Sequence, residues 1–339
     1  MKIAFIGGGI FAREYHLPAV LKAGGTLTAV YSRTKKSAAE TVRAARDLGY
    51  SEQIDIYSDD TSSLDDLLAR EDTSGVVIVL PIAVQPDIVR KALKAGKHVL
   101  CEKPIAPSRG SAIDLVEEYR KVYAPKGLVF SIAEQFRFDL GYIRARDWVR
   151  QGKIGNITAV HARIWENLEP DFKFQTPWRK EPEFQGGYIL DAGVHFIALI
   201  RMVSGQDITE TQCQTAQWRS YLKPIDTVQA VFKLSGGALG TYSHSVSCPC
   251  PKLEFLFVGS TGSMQVTGRD NGTTIVLCDA DGNERDRVFI DGQPMLEEHR
   301  AFVEAIKSGK AEQRASPEEA LKDVAVIESM LGGGGQVAT

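Results

Sequence analysis

The chain has 339 residues, 43% of them hydrophobic and 24% charged, with a formal net charge of −3. Such a length favours two domains over one core, and the near-neutral balance excludes a broad electrostatic partner such as nucleic acid or an anionic membrane. Five cysteines, at 101, 213, 248, 250 and 278, form no regular framework and fit a reducing compartment. The lone Cys248-Pro-Cys250 lacks the second pair that a tetrahedral zinc site needs, so no metal is expected.

Met1 leads directly into "KIAFIG", a buried-strand pattern without the regions of a signal peptide, and no apolar run approaches a membrane span. A soluble, cytoplasmic protein is the expectation. The runs "KIAFIG", "TLTAVYS", "SGVVIVLP", "KHVLCEKP" and "GLVFSIAE" are short, apolar and bounded by turn residues, which predicts strands buried on both faces. Helical patterns lie between them over 12–23, 36–48, 64–70, 85–95 and 111–123. Strand and helix in alternation predict an α/β fold with a doubly wound parallel sheet over residues 1–137.

From residue 138 the pattern changes. A charged helix "GYIRARDWVRQGK" leads to the alternating strand "IGNITAVHARIWE", then to the apolar helix that follows Gly186 and Gly187. Consecutive strand-like runs follow, from "ETQCQTAQW" through "RVFI", and predict an α+β domain on a large, open, mostly antiparallel sheet. Two closing helices complete a second domain over 138–331 and can pack back on the first. The glycine-rich tail 332–339 is expected to fray.

Gly7-Gly8-Gly9-Ile10-Phe11-Ala12 fits G-x-G-x-x-A between the first strand and the first helix. Gly7 makes the turn, Gly9 lets backbone approach a pyrophosphate, and Ala12 permits close helix packing, which points to dinucleotide binding. At the end of the second strand, "YSRTKK" supplies Ser32, Arg33, Thr34, Lys35 and Lys36 and no acid. Hydroxyls and cations there suit the 2′-phosphate of NADP; the alternative is a solvated basic turn. Lys103 in "CEKP" ends another strand, where open α/β sheets bind ligands.

Asp191 and His195 are spaced i to i+4 on an otherwise apolar helix. One reading makes them a helix cap and a hydrogen-bonded core histidine. The other makes His195 an acid–base group, Lys103 the cation that stabilises developing charge on oxygen, and Asp191 a substrate binder or orienter. His16 is expected to pack in the first helix. His161 and His244 read as exposed or satisfied sheet residues, and Trp165 and Trp218 as core or subunit-interface anchors.

Three stretches, "AFIGGGIFAREYHLPAV", "KALKAGKHVLCEKPIA" and "WRKEPEFQGGYILDAGVH", in this order resemble the Gfo/Idh/MocA oxidoreductases, and most of all their NADP-linked fungal members. The resemblance implies a Rossmann domain, an active site between the domains, and a C-terminal sheet that packs against a second subunit in a homodimer or homotetramer. It implies catalytic roles for Lys103, Asp191 and His195. It places Glu102, Leu80, Pro81, Gln85 and Gln135 by the nicotinamide end of the cofactor, with Trp178 and Arg179 closing over it. The activity implied is NADP-dependent hydride transfer to or from a sugar, polyol or aldehyde-like compound. Reduction of an imine or conjugated double bond and a non-catalytic NADP sensor are the alternatives. Ile82, Gln85, Gln135 and Tyr188 depart from the family pattern, so a sugar preference does not carry over with the motif.

Overall fold

Apolar runs that bury both faces need a layer on either side, and the first half of the chain builds that arrangement. The structure, a computed structural model, describes residues 1–269 and 272–338. The first of its two units comprises Met1–Gln135 and Met295–Leu321. Strands β1 (Lys2–Ile6), β2 (Thr26–Tyr31), β3 (Asp55–Tyr57), β4 (Gly75–Ile78), β5 (His98–Glu102) and β6 (Phe130–Ala133) form one sheet. Every pair is parallel, in the order β3-β2-β1-β4-β5-β6. Helices α1 (Leu17–Lys22), α2 (Lys35–Asp47), α3 (Leu64–Leu68), α4 (Gln85–Lys94) and α5 (Arg109–Glu118) connect them. The order reverses between β1 and β4, the switch point where such sheets bind ligands.

Two predicted helices differ in detail. The segment 12–23 begins with a π-helical turn, Ala12–His16, before α1, and 111–123 ends in another, Tyr119–Tyr123. Strand β3 was not foreseen, because three half-buried residues are too few to show a period.

The second unit comprises Phe136–Pro294 and Lys322–Thr339. Helix α6 (Leu140–Arg150), strand β7 (Ile157–Asn167) and helices α7 (Pro177–Lys180) and α8 (Tyr188–Ser204) open it. Strands β8 (Ile208–Ala216), β9 (Thr227–Leu234), β10 (Leu239–Ser245), β11 (Ser247–Gly259), β12 (Gly262–Arg269), β13 (Gly272–Asp279) and β14 (Glu284–Asp291) follow. Along the chain then come α9 (Pro294–Ser308), which groups with the first unit, α10 (Pro317–Leu331) and β15 (Gly334–Gln336). The nine-stranded sheet runs β14-β13-β12-β11-β7-β10-β9-β8-β15, antiparallel except where β7 meets β10.

On β9 the inward Val228, Ala230, Phe232 and Leu234 are buried and the alternate residues exposed, so the sheet has one covered face. Helix α8 covers it: Phe196 meets the His244 ring at 5.1 Å and the Phe255 ring at 6.4 Å. The same helix is held at its other end by charge. Asp323 accepts from Arg137 Nη2 at 2.7 Å and from Arg201 Nη1 at 2.6 Å, with all three residues buried.

Several expectations are corrected. Residues 295–321, within the closing helices that the sequence allows to pack back, group with the first unit, where Phe302 and Ala305 join the core of Ile3, Phe5 and Leu100. The tail does not fray throughout: Gly334–Gln336 pairs antiparallel with residues 210–212. Only glycine fits at 334, where a Cβ would stand 2.3 Å from the Thr211 carbonyl oxygen. Trp218 is 75% exposed and anchors no core. Trp165 is half-buried, its indole N–H donating to Ser243 Oγ at 2.8 Å.

His161 is exposed and bonded to Thr241, whereas His244 is wholly buried and, among the described residues, engaged only at Nδ1, by the Tyr242 hydroxyl at 3.1 Å. Burial pushes the His244 imidazole down to about 3. Below about pH 6.5 the unfolded chain takes up a proton that the folded one refuses, so stability falls as pH drops from 6.5 towards 3. One such group contributes a slope of about 1.4 kcal/mol per pH unit. Denaturant titrations between pH 7 and pH 5 should show that slope reduced by one proton in His244→Phe; an unchanged slope would contradict this reading.

Candidate active site

The carboxyl ends of the first unit's strands gather the nucleotide-binding candidates. After β1, Gly7 turns the chain at φ +114°, and its N–H donates to the Tyr31 carbonyl at 2.8 Å. A Cβ at Gly7 would lie 2.1 Å from the Val79 carbonyl oxygen, so no other residue fits. Gly9 is the opposite case: exposed, with nothing within 4 Å of where a Cβ would stand, it presents bare backbone to open space. Ile10 and Phe11 are half-buried, and the fully buried Ala12 starts the π-helical turn. Ser37 Oγ donates to the Gly8 carbonyl at 2.9 Å and ties this loop to α2.

Past β2, Arg33 is exposed, the Ser32 N–H donates to the Tyr57 carbonyl at 3.1 Å, and Thr34 caps α2. The structure adds two carboxylates that the sequence pattern missed, both from the loop after β3. Asp59 accepts from the Tyr31 hydroxyl at 2.6 Å, and Asp60 from the Lys35 N–H at 2.9 Å. Burial, with Asp59 second, pushes the Tyr31 phenol up to about 12.

Leu80 and Pro81 follow β4, both half-buried. Gln85, the next predicted contact, is turned inward. It is wholly buried, accepting from Cys101 Sγ at 3.2 Å and donating to the Pro104 carbonyl at 3.0 Å. Its amide therefore braces the turn after β5, where Glu102 is buried, Lys103 half-buried and the Lys103–Pro104 peptide cis. Gln135 is half-buried, and its Oε1 has no hydrogen-bond partner among the described residues.

In the second unit α8 carries the chemistry. Its N-cap is Gly187, so Asp191 is no cap; it sits in the first turn, where the helix dipole favours a carboxylate. Asp191 is 6% exposed, and Oδ2 accepts from Arg179 Nε at 2.7 Å. The Arg179 guanidinium lies 4.1 Å from the centre of the Trp178 ring and donates to the Phe174 carbonyl. The predicted Trp-Arg pair thus reaches Asp191. His195, one turn on, is half-buried and stacks on Phe136 at 4.8 Å and 16°. Desolvation holds the carboxyl of Glu166, near the end of β7, above the usual range, with His195 pulling the other way.

Tyr188 packs with Leu168, Leu222 and Val246, so its large side chain has a core to fill. Burial pushes its phenol up to about 12, opposed by Arg179, and its oxygen has no partner among the described residues. Phe136, Glu166, Asp59 and Asp60 carry no motif and lie on turns or strand ends. Sequence period gives no signal there.

Residues 1–125 match the model of an oxidoreductase family with an NAD-binding Rossmann fold, GFO/IDH/MocA, and residues 142–265 match the GFO/IDH/MocA C-terminal domain. The chain belongs to the GFO/IDH/MocA family. As a member it is an NAD(P)-dependent oxidoreductase. It is 38% identical to dehydrogenase FPY6 of Fusarium mangiferae, over 97% of this chain and 95% of that one. A 1,5-anhydro-D-fructose reductase of Ensifer adhaerens is 25% identical over 94% of this chain and 92% of its own. The solved oxidoreductase from Thermotoga maritima is 28% identical and superposes with a TM-score of 0.88, covering 99% of this chain and 98% of that one.

The dinucleotide that this family binds fits the residues present. Bare backbone at Gly9, next to hydroxyls and a free-facing cation at the end of β2, makes a cradle that phosphate groups can approach. Gly7→Ala forces a side chain into the Val79 carbonyl and should weaken NADPH binding about tenfold or more, read by cofactor fluorescence. Binding within twofold of the unaltered protein would contradict this placement.

Proposed function

We propose that this protein uses NADP(H) to interconvert a hydroxyl and a carbonyl on a small sugar-, polyol- or aldehyde-like compound. The observation that carries the reading is the pair Asp191 and His195 on one turn of α8, with Arg179 of α7 bonded to Asp191, in a chain that places Lys103 directly after β5. A bound nicotinamide supplies the hydride acceptor or donor. His195, held in plane by the Phe136 ring, takes the hydroxyl proton in oxidation or returns it in reduction. The Lys103 ammonium stabilises negative charge as it develops on the same oxygen. Asp191, its rotamer fixed by Arg179, binds a neighbouring substrate hydroxyl or steadies His195. The 1,5-anhydro-D-fructose reductase similarity supports a sugar-like substrate.

The preference for NADP rests on Ser32, the exposed Arg33 and Thr34. The acids nearby, Asp59 and Asp60, accept from the Tyr31 hydroxyl and the Lys35 N–H. Self-association through the C-terminal sheet is supported by its open face. There Val231 and Leu239 are 51% and 63% exposed, and a cavity of about 380 Å³ is lined by residues of β7 to β10 that include His161 and Thr241.

A panel of aldoses, polyols, short aldehydes and cyclic imines with NADP(H) and NAD(H), followed at the nicotinamide absorbance, tests both parts. Turnover is expected with a hydroxyl or carbonyl compound, and NADPH should bind at least ~10-fold tighter than NADH, the worth of a charge-assisted contact of about 1.5–3 kcal/mol. Arg33→Ala should remove most of that margin. Equal binding of NADH by the unaltered protein, or turnover of imines alone, would overturn the corresponding part.

A further inference from the structure

Directly behind Lys103 the first unit buries five titratable side chains. His16, Glu102, Glu134, Glu298 and His299 are 0%, 6%, 2%, 1% and 1% exposed. Such groups are costly to bury unless they satisfy one another. Three of them do so in series: His16 Nε2 lies 2.6 Å from Glu102 Oε1, and His16 Nδ1 lies 3.0 Å from His299 Nε2. The two rings meet edge to face at 5.2 Å, and Phe11 of the glycine loop closes on His16 from the other side at 5.5 Å.

The bonding gives the chain a direction. Burial, with His16 second, holds the His299 imidazole well below its ordinary range, so the ring carries one N–H. Its Nδ1 has no partner among the described residues, and a bare nitrogen costs less there than a stranded donor. The proton therefore sits on Nε2 and is donated to His16 Nδ1. His16 is left with its own proton on Nε2, aimed at Glu102. Beside this chain Glu298 has neither oxygen bonded among the described residues, and burial, then the charges of Glu102 and Glu134, push its carboxyl far up. It stays protonated and places no second charge against Glu102.

We propose that His16 and His299 are positioning residues: two imidazoles in series fix one carboxylate oxygen of Glu102 and thereby hold the end of β5 that presents Lys103 to the reaction. Neither histidine touches substrate. Gln85 braces the same turn from the other side through the Pro104 carbonyl, so the backbone on both flanks of Lys103 is tied to buried side chains. The proposal rests on the oxidoreductase reading for its effect on rate, but not for the proton order itself.

The test has two arms. In the cofactor-free protein, nitrogen-15 spectra of the histidine rings should show His16 protonated at Nε2 and bare at Nδ1, and Glu102→Gln should shift that Nε2–H resonance. A His16 ring protonated at Nδ1, or a resonance indifferent to Glu102→Gln, would overturn the chain. For catalysis, His16→Leu should lower kcat about 10–100-fold with the KM for NADPH changed less than about threefold, the scale of a small misplacement. His16→Gln keeps a donor for Glu102 and should retain kcat within about fivefold. In a Glu102→Gln background, adding His16→Leu should cost less than about twofold, because the effect runs through Glu102. Glu298→Gln, isosteric with the neutral acid, should remain within about twofold.

Independent, multiplying losses from His16→Leu and Glu102→Gln would mark a merely structural role and overturn the proposal. So would a His16→Gln variant more than tenfold impaired, which decides the matter if His16→Leu fails to fold. Absence of turnover in the unaltered protein would sink the redox reading, while the spectra would still judge the chain.

Discussion

A buried carboxylate shared by two guanidinium groups governs the second unit. Asp323 on α10 receives Arg201 from the end of α8 and Arg137 from the segment before α6, at 2.6 and 2.7 Å. Taking three charges out of water is expensive, and removing one partner from such a set leaves a buried unpaired charge worth about 3–5 kcal/mol. The three segments therefore have one favourable arrangement. Arg201 also reaches Asp207, whose carboxyl is raised by desolvation but carried below its usual range by Arg201 and Lys322. With its last turn locked this way and its apolar side packed on β10 and β11, α8 has no freedom to rotate. Asp191 and His195 point where that packing sends them.

The first unit solves a related problem with fewer charges. Around Glu102 the neighbours are two histidines and a protonated acid rather than guanidinium groups, and the proton order replaces Coulomb attraction as the fixing device. The result is the same in kind: a strand end that carries a functional cation is held by groups that never meet the substrate. Lys103 and Asp191 are thus each backed by buried polar partners, His16 through Glu102 in one case and Arg179 in the other.

Much of the fold was legible because period and punctuation are local properties. The parallel strands announced themselves as apolar runs, and β9 by its strict alternation. β3 was missed because "DIY" is too short to have a period, and the tail because a glycine strand adds to the edge of β8 with no side chain to signal it. Candidate residues followed the same rule. Asp191 and His195 share a helix, so their spacing shows. The bonds Arg179–Asp191, Cys101–Gln85 and His16–His299 join separate elements, and nothing local encodes them. Gln85 shows the same limit: the resemblance places it by the nicotinamide, and only the fold shows its amide bonded to Cys101 and the Pro104 carbonyl.

The proposed function has Lys103 and His195 act on one oxygen of one substrate, and a double-mutant cycle on that pair is its most direct test. Lys103→Ala and His195→Ala should each lower kcat by about 10²–10⁴-fold, the range for loss of a general acid–base or electrostatic partner. If both act on the same transition state, the double variant should lose little beyond the worse single one. Losses that multiply, or a His195→Ala variant with unchanged turnover, would contradict the assignment.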